Sequence, residues 1–200
     1  MKDNLVLLGC FFLGLGLGIY ELVPIQFIES DLSNYLLYML MFSVGMGVGN
    51  DAETLQGFRK LPKRIVALPF LSITGSLLGG VAAALILGSD FFSTIAISSG
   101  QAYYSLSSII ITERLGIALG AIALLTNVIR ELLAIVLAPL LAKYIGPLAP
   151  IAAGGATTMD VTLAPILRAS GKEYLVPSIY NGFVCDFSVP ILVTLFVGLA

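Results

Sequence analysis

Residues 98–108 read SSGQAYYSLSS and residues 154–160 read GGATTMD, and both stretches interrupt segments that are otherwise apolar. Glycine and small hydroxyl residues in mid-segment let the backbone leave a helix. In lipid an unpaired backbone amide costs on the order of several kcal/mol, so such a break persists only against protein or a wet cavity. Paired interruptions of this kind indicate a transporter site. The alternative is two ordinary helices whose Ser and Thr side chains bond to their own backbone.

The composition around these stretches is that of a membrane protein. The chain has 200 residues, of which 58% are hydrophobic and 11% are charged. Soluble domains carry about 25% charged residues. Uncharged runs such as residues 65–89 reach the length of about 20 residues that a transmembrane helix needs. The sequence therefore predicts an all-α integral membrane protein.

Hydropathy and helix breakers together predict seven transmembrane segments in a single polytopic domain, residues 1–200. Residues 1–64 are expected to form a scaffold of two spans and a cytoplasmic loop, and residues 65–200 a transport core with broken spans near 98–108 and 154–160. The predicted segments are residues 5–19, 33–49, 65–87, 91–111, 117–142, 146–168 and 175–199.

The distribution of Lys and Arg predicts the orientation, because cytoplasmic loops carry an excess of these residues. With a cytoplasmic amino terminus, seven spans place only Lys143 outside and leave the carboxyl terminus outside. The predicted location is the inner, cytoplasmic membrane. The basic residues then expected on the cytoplasmic side are Lys2, Arg59, Lys60, Lys63, Arg64, Arg114, Arg168 and Lys172.

Four charged side chains lie within predicted spans and away from their ends: Arg130, Glu131, Asp160 and Asp186. Each such charge at a helix centre costs about 2.5–3.5 kcal/mol on insertion scales, so a chain keeps these groups when they pair or bind something. Glu131 and Asp160 are predicted to act in transport, by carrying a proton or by meeting a cationic substrate. Asn127 precedes Glu131 by one helical turn and shares its face. For Arg130, a purely structural pair with Asp186 or Asp160 is the alternative.

Other functional classes find little support in the sequence. Histidine is absent, and there is no metal-ligand spacing, Ser/His/Asp set, ATP-binding motif or basic tract suited to nucleic acid. Cys10 and Cys185 both lie in apolar spans, where a disulfide framework is not expected. We therefore expect neither an enzyme nor a cofactor.

Several motifs resemble the lysine exporter LysO family of bacteria and archaea. They include Tyr104-Ser105-Leu106-Ser107, Arg130-Glu131-Leu132 and the GGATTMD stretch ending at Asp160. The resemblance implies export of L-lysine and close analogues. It also implies an inverted-repeat fold with crossed, discontinuous helices, as in sodium/proton antiporters and bile-acid symporters. The substrate or ion site it implies, taken together with the breaks and buried charges, comprises Glu131, Asp160, Asn127, Arg130, Tyr104, Ser105, Gly155, Thr157 and Thr158.

The expected mechanism is antiport of lysine against protons or another cation such as sodium. The lysine carboxylate would lie against the half-helix amino termini at the two breaks, whose free N–H groups attract anions. The lysine ammonium groups would meet Glu131 and Asp160. Rival interpretations are a transporter of another small organic solute and an accessory subunit whose partner performs the transport.

Three departures from the family pattern qualify this expectation. Asp186 stands where the family has a small polar residue, and Asn181 stands where it has a histidine, so both are assigned an ion-binding or structural role. The single-chain exporters of the family also carry an additional hydrophobic block at the amino end. A small membrane partner protein or a homodimer is therefore expected.

Overall fold

The computed structural model of the chain describes residues 61–200 and the isolated positions 17, 35, 39, 42, 46, 57 and 58. The chain divides into two compact units, Met1–Asp51 and Ala52–Ala200. The predicted spans 5–19 and 33–49, apart from those isolated positions, and the basic residues Lys2, Arg59 and Lys60 lie outside the described residues.

All regular secondary structure in residues 61–200 is helical, which confirms the predicted all-α class for this part of the chain. Short 3₁₀ turns occupy Gly155–Met159 and Lys172–Tyr174. The α-helices are α1 (Lys63–Val66), α2 (Leu68–Leu87), α3 (Phe91–Ser98), α4 (Tyr104–Leu115), α5 (Ile117–Tyr144), α6 (Ala149–Gly154), α7 (Leu163–Ser170) and α8 (Leu175–Val197).

Three helical stretches within the described residues are long and apolar enough to cross a membrane. They are Lys63–Leu87, Ile117–Tyr144 and Lys172–Val197. They coincide with the third, fifth and seventh predicted segments. Local signals set the bounds of α2: Pro69 lies in its first turn, and Gly88 ends it in the left-handed conformation with φ of 61°.

The fourth predicted segment forms a hairpin of two short helices, α3 and α4, joined by residues 99–103, which we call the first tip. Asp90 caps α3 by accepting a 2.8 Å hydrogen bond from the Ser93 backbone N–H. Hydrogen bonding from Ser93 also lowers the pKa of the Asp90 carboxyl. The tip needs unusual backbone geometry, since Gln101 and Ala102 have positive φ values of 51° and 68°.

The contacts around this hairpin show that both of its outer ends lie at one face of the fold. One cavity is lined by Leu87 at the end of α2, Thr94 in α3 and Leu119 at the start of α5. The start of α3 and the start of α5 therefore lie at the same face. Only Gly116 separates α4 from α5, and Gly120 of α5 packs closely against Thr112 of α4. The chain thus enters along α3, turns at the first tip and returns along α4.

The sixth predicted segment forms a second hairpin, made of α6 and α7 and joined by residues 155–162, the second tip. Leu68 at the start of α2, Ile151 in α6 and Ile166 in α7 are buried in one cluster. Tyr174, just before α8, packs against that cluster. Both ends of the second hairpin therefore lie at the face where α2 begins, opposite the face where the first hairpin enters.

This arrangement corrects the prediction that segments 91–111 and 146–168 each cross the membrane. Helices of eight and six residues such as α3 and α6 extend about 12 Å and 9 Å, which is less than half of a hydrocarbon core about 30 Å thick. Each hairpin thus reaches the middle of the fold and turns back. Within residues 61–200, three long helices surround two hairpins that enter from opposite faces.

The hairpins also change which basic residues share a face. The start of α2, the end of α5 and the end of α7 lie together, and Lys143 therefore shares a face with Lys63, Arg64 and Arg168. Arg114, at the end of α4, lies at the opposite face with Asp90. The sequence-based placement of Lys143 and Arg114 was wrong in both cases, because it assumed that segments four and six cross. We call these the Lys143 face and the Asp90 face.

Cysteine labelling distinguishes the two topologies. In a variant without Cys10 and Cys185, a cysteine at position 143 should react with a membrane-impermeant thiol reagent from the same side as a cysteine at position 168. A cysteine at position 114 should react only from the other side. The measurement is modification in intact cells compared with inverted vesicles. Reaction of positions 114 and 168 from one side, with position 143 on the other, would restore the seven-span arrangement.

Candidate functional site

The two hairpin tips meet near the middle of the fold. The backbone N–H of Ala156 in the second tip donates a 2.9 Å hydrogen bond to the carbonyl oxygen of Gln101 in the first tip. Gly155 permits this approach, since it has φ of 61° and a Cβ there would lie 2.6 Å from the Gln101 oxygen. The tip-to-tip contact therefore depends on glycine at position 155.

Asn127 of α5 holds the first tip. Its Oδ1 accepts a 2.8 Å hydrogen bond from the backbone N–H of Ala102. Its Nδ2 donates 2.9 Å to the carbonyl of Ala123, with longer contacts of 3.4 Å to the carbonyl of Ile97 and to the Ser107 hydroxyl. The side chain is 2% exposed, so it acts as a buried clamp on the tip in this structure.

Asn181 of α8 holds the second tip in a corresponding way. Its Nδ2 donates 3.1 Å to the carbonyl of Gly155 and contacts the Thr158 hydroxyl at 3.3 Å. The Thr158 hydroxyl lies 2.9 Å from the carbonyl oxygens of both Gly155 and Ser178, and its single hydrogen is shared between them or donated to one. Thr157 donates 3.0 Å to the carbonyl of Gly154. These hydroxyls, predicted as ligand contacts, are engaged by backbone oxygens here.

Removing the Asn127 amide should destabilise the protein measurably. Asn127→Ala would leave the buried Ala102 N–H without its acceptor, which costs about 1–3 kcal/mol of unfolding free energy. Leu125→Ala, on the same helix at a position that is 57% exposed, is the matched control. Thermal unfolding in detergent measures the difference. Equal unfolding midpoints for the two variants would show that Asn127 does not clamp the tip.

Three carboxylates lie near the tips: Glu131 in α5, Asp160 in the second tip and Asp186 in α8. Asp160 is close enough to both Glu131 and Asp186 for their charges to interact. Asp160 is exposed, the other two are partly exposed, and Oε2 of Glu131 is buried without a hydrogen-bond partner among the described residues. Tyr104 and Ser105 begin α4 beside this group, and both are exposed. Such a cluster of unpaired acids suits a cationic ligand.

Arg130 faces a different side of α5 from Glu131. Its Nε donates 3.0 Å to the carbonyl of Ala153, Nη1 donates 2.6 Å to the Ser76 hydroxyl, and Nη2 donates 3.2 Å to Oε1 of Gln101. It thus links α2 and both hairpins. Among residues 61–200 no carboxylate pairs with it, so the Arg130–Asp186 and Arg130–Asp160 pairs considered from the sequence do not form here.

Gln101 is the central residue that sequence reasoning missed. Its side chain is completely buried, its carbonyl accepts from Ala156 and its Oε1 accepts from Arg130. The sequence contained a signal for Gln101, because a long amide side chain in the middle of an apolar segment needs buried hydrogen-bond partners. Within the part of the chain that the structure describes, no group of three His, Cys, Asp or Glu residues could hold a metal ion.

Sequence comparison relates the chain to a family of known proteins. Residues 8–197 match the family model described as lysine exporter LysO. The chain is 34% identical over 194 residues to "Lysine exporter LysO" of Escherichia coli K12, covering 97% of this chain and 64% of that protein. It is 33% identical over 162 residues to a Haemophilus influenzae protein named "Putative lysine exporter", covering 81% of this chain and 82% of that one. No solved structure matches the chain.

Proposed function

Because the chain belongs to the lysine exporter LysO family, we propose that it is a secondary transporter that exports L-lysine across the cytoplasmic membrane. The names of the two relatives support lysine as the substrate. The single observation that carries the proposal for this chain is the group of carboxylates at Glu131, Asp160 and Asp186, placed beside the tips of two opposed hairpins.

The ammonium groups of lysine meet Glu131 and Asp160 in this proposal. Both acids lack a basic partner among the described residues, and Glu131 keeps a buried oxygen without a hydrogen bond. An ammonium supplies the missing opposite charge and can donate three hydrogen bonds. Asp186, which interacts electrostatically with Asp160, adds negative charge and either binds the coupling ion or supports the fold.

Antiport results when the same acids bind lysine and the coupling cation in turn. After lysine leaves on the outer side, a proton or another cation neutralises a vacated acid and is carried inward. Antiport requires a site that opens alternately to the two sides of the membrane. The two hairpins suit this requirement, because the first enters from the Asp90 face and the second from the Lys143 face. The excess of basic residues at the Lys143 face supports its assignment to the cytoplasm. The carboxyl terminus then lies outside.

The participation of a small membrane partner or a second copy of the chain is part of the same proposal. The chain spans about 64% of the length of the Escherichia coli relative, whose name is that of an exporter. Transport of a different organic solute is the second candidate, and an accessory role is the third.

A measurement of lysine efflux distinguishes the three candidate functions. We expect the full chain, expressed in cells that lack their own lysine exporters, to lower intracellular lysine during lysine overload. A tenfold excess of a neutral amino acid or an organic acid should not compete. Efflux of another solute without lysine efflux would favour the second candidate. Lysine efflux that appears only with a co-expressed partner would favour an accessory role.

A further inference from the structure

A cavity of about 520 Å³ separates α2 from α5 on the side away from Glu131. It extends from Arg130, near the hairpin tips, to Ser89 at the Asp90 face. Its volume falls within the range of about 300–1,000 Å³ that is usual for small-molecule sites. Its polar groups include the side chains of Ser76, Ser98 and Asn127, and no Asp or Glu lines it. The cavity is therefore apolar along its walls and positive at its inner end.

The charge of Arg130 is not balanced by an acid in the described residues. A guanidinium has five N–H donors, and the structure uses one on Nε, one on Nη1 and one on Nη2, all with neutral oxygen acceptors. One N–H remains on each terminal nitrogen. A cation removed from water without a counter-charge is costly, so this position favours an anion. A carboxylate matches two N–H groups on one planar fork better than a spherical ion does.

Three backbone donors at the tips are already in use, whereas the N–H groups of Tyr104, Ser105 and Leu106 in the first turn of α4 have no partner among the described residues. The sequence led us to expect a carboxylate against the half-helix ends at the breaks. In the structure the N–H of Ala102 donates to Asn127, that of Tyr103 donates to the carbonyl of Gly100, and that of Ala156 donates to Gln101. These backbone donors hold the tips together. Arg130 is the cationic group that lines the cavity.

We propose that Arg130, at the inner end of this cavity, binds the α-carboxylate of the transported amino acid. This inference rests on the proposed function and adds to it a second recognition element. Arg130 projects about 100° around α5 from Glu131, so the substrate contacts Arg130 and the two acids in successive steps of transport. It makes the free carboxylate a requirement for binding, so that diamines and amidated substrates are rejected. The apolar walls suit the methylene chain of the substrate.

The test compares ligands that differ only at the carboxylate. Purified full-length chain in detergent is titrated with lysine, lysinamide and pentane-1,5-diamine, and the shift of its thermal unfolding midpoint gives the affinities. We expect lysine to bind at least about tenfold more tightly than either analogue, as a lost charge-assisted hydrogen bond implies. In Arg130→Gln this preference should disappear. Leu125→Ala, on the same helix, should keep it.

Two further measurements test the role of Arg130 even if Arg130→Gln does not fold. Arg130→Lys retains the charge without the fork and should show a reduced preference, while the ligand series on the unaltered protein needs no substitution. Equal binding of lysine and lysinamide by the unaltered protein would overturn the inference, as would a preference that survives in Arg130→Gln. Stabilisation by chloride and acetate with no lysine preference would assign the cavity to a free anion and would also overturn it. The proposed function would fail separately, through the absence of lysine efflux.

Discussion

Replacing Glu131 by Gln is expected to abolish lysine export while leaving the protein in the membrane. The substitution keeps the size of the side chain and removes the charge that an ammonium group would neutralise. Loss of one partner of a buried charge pair costs about 2–5 kcal/mol, so efflux should fall by roughly two orders of magnitude. Asp160→Asn should behave in the same way, because the charge of Asp160 acts on Glu131 and both carboxylates lack a basic partner among the described residues.

The measurement is the rate of lysine efflux from preloaded cells, normalised to the amount of protein in the membrane. Glu113→Gln is the matched control, since Glu113 is exposed near the outer end of α4, away from the tips. It should export lysine at the normal rate. Normal efflux from Glu131→Gln would remove that acid from the mechanism, whatever the role of Asp160.

Gly155→Ala is expected to have the largest effect on the fold itself. Position 155 has φ of 61° and ψ of −127°, a combination that costs an L-residue about 1–3 kcal/mol, and the new Cβ would lie 2.6 Å from the backbone oxygen of Gln101. Relief of this contact would stretch the hydrogen bond between Ala156 and Gln101. With overpacking costs of about 1–3 kcal/mol, the total loss of unfolding free energy should be roughly 2–6 kcal/mol.

Thermal unfolding in detergent tests this prediction, and Gly75→Ala provides the control. Gly75 lies within α2, and a Cβ there would have no neighbour within 4 Å. Alanine is the better helix former by roughly 0.5–1 kcal/mol, so this variant should be as stable as the parent or slightly more stable. If both alanine variants unfold at the same temperature, the close approach of the tips is not a feature of the folded protein.

The positions of the breaks and of the charges in apolar segments could be predicted from the sequence, whereas the topology could not. Glu131 and Asp160 could be selected because charges in apolar segments are rare and costly. The breaks could be located because Gly155 and the residues around Gln101 do not suit an uninterrupted apolar helix. Hydropathy, however, reports the length of an apolar segment and not the direction that the chain takes after a break. The reversal at each tip depends on hydrogen bonds between residues distant in sequence, such as Asn127 with Ala102 and Asn181 with Gly155.

The placement of Lys143 and Arg114 illustrates the consequence. Counting two extra crossings put each residue on the wrong side relative to its neighbours. The buried cluster of Leu68, Ile151 and Ile166 brings three chain ends together and corrects the assignment. The partners of Arg130 also needed the structure. Helix geometry alone separates Arg130 and Glu131 by about 100° around α5, but Ser76 and Gln101, which accept from Arg130, are supplied by other elements.

In the proposed mechanism, lysine leaves through this chain in exchange for a cation carried by Glu131 and Asp160. The most direct measurement is efflux of lysine from proteoliposomes that contain the purified full chain, with and without an inwardly directed proton gradient. The mechanism predicts efflux that the gradient accelerates in the unaltered protein, together with no efflux from Glu131→Gln or Asp160→Asn. Efflux of lysine at equal rates from the unaltered protein and from both variants would contradict it.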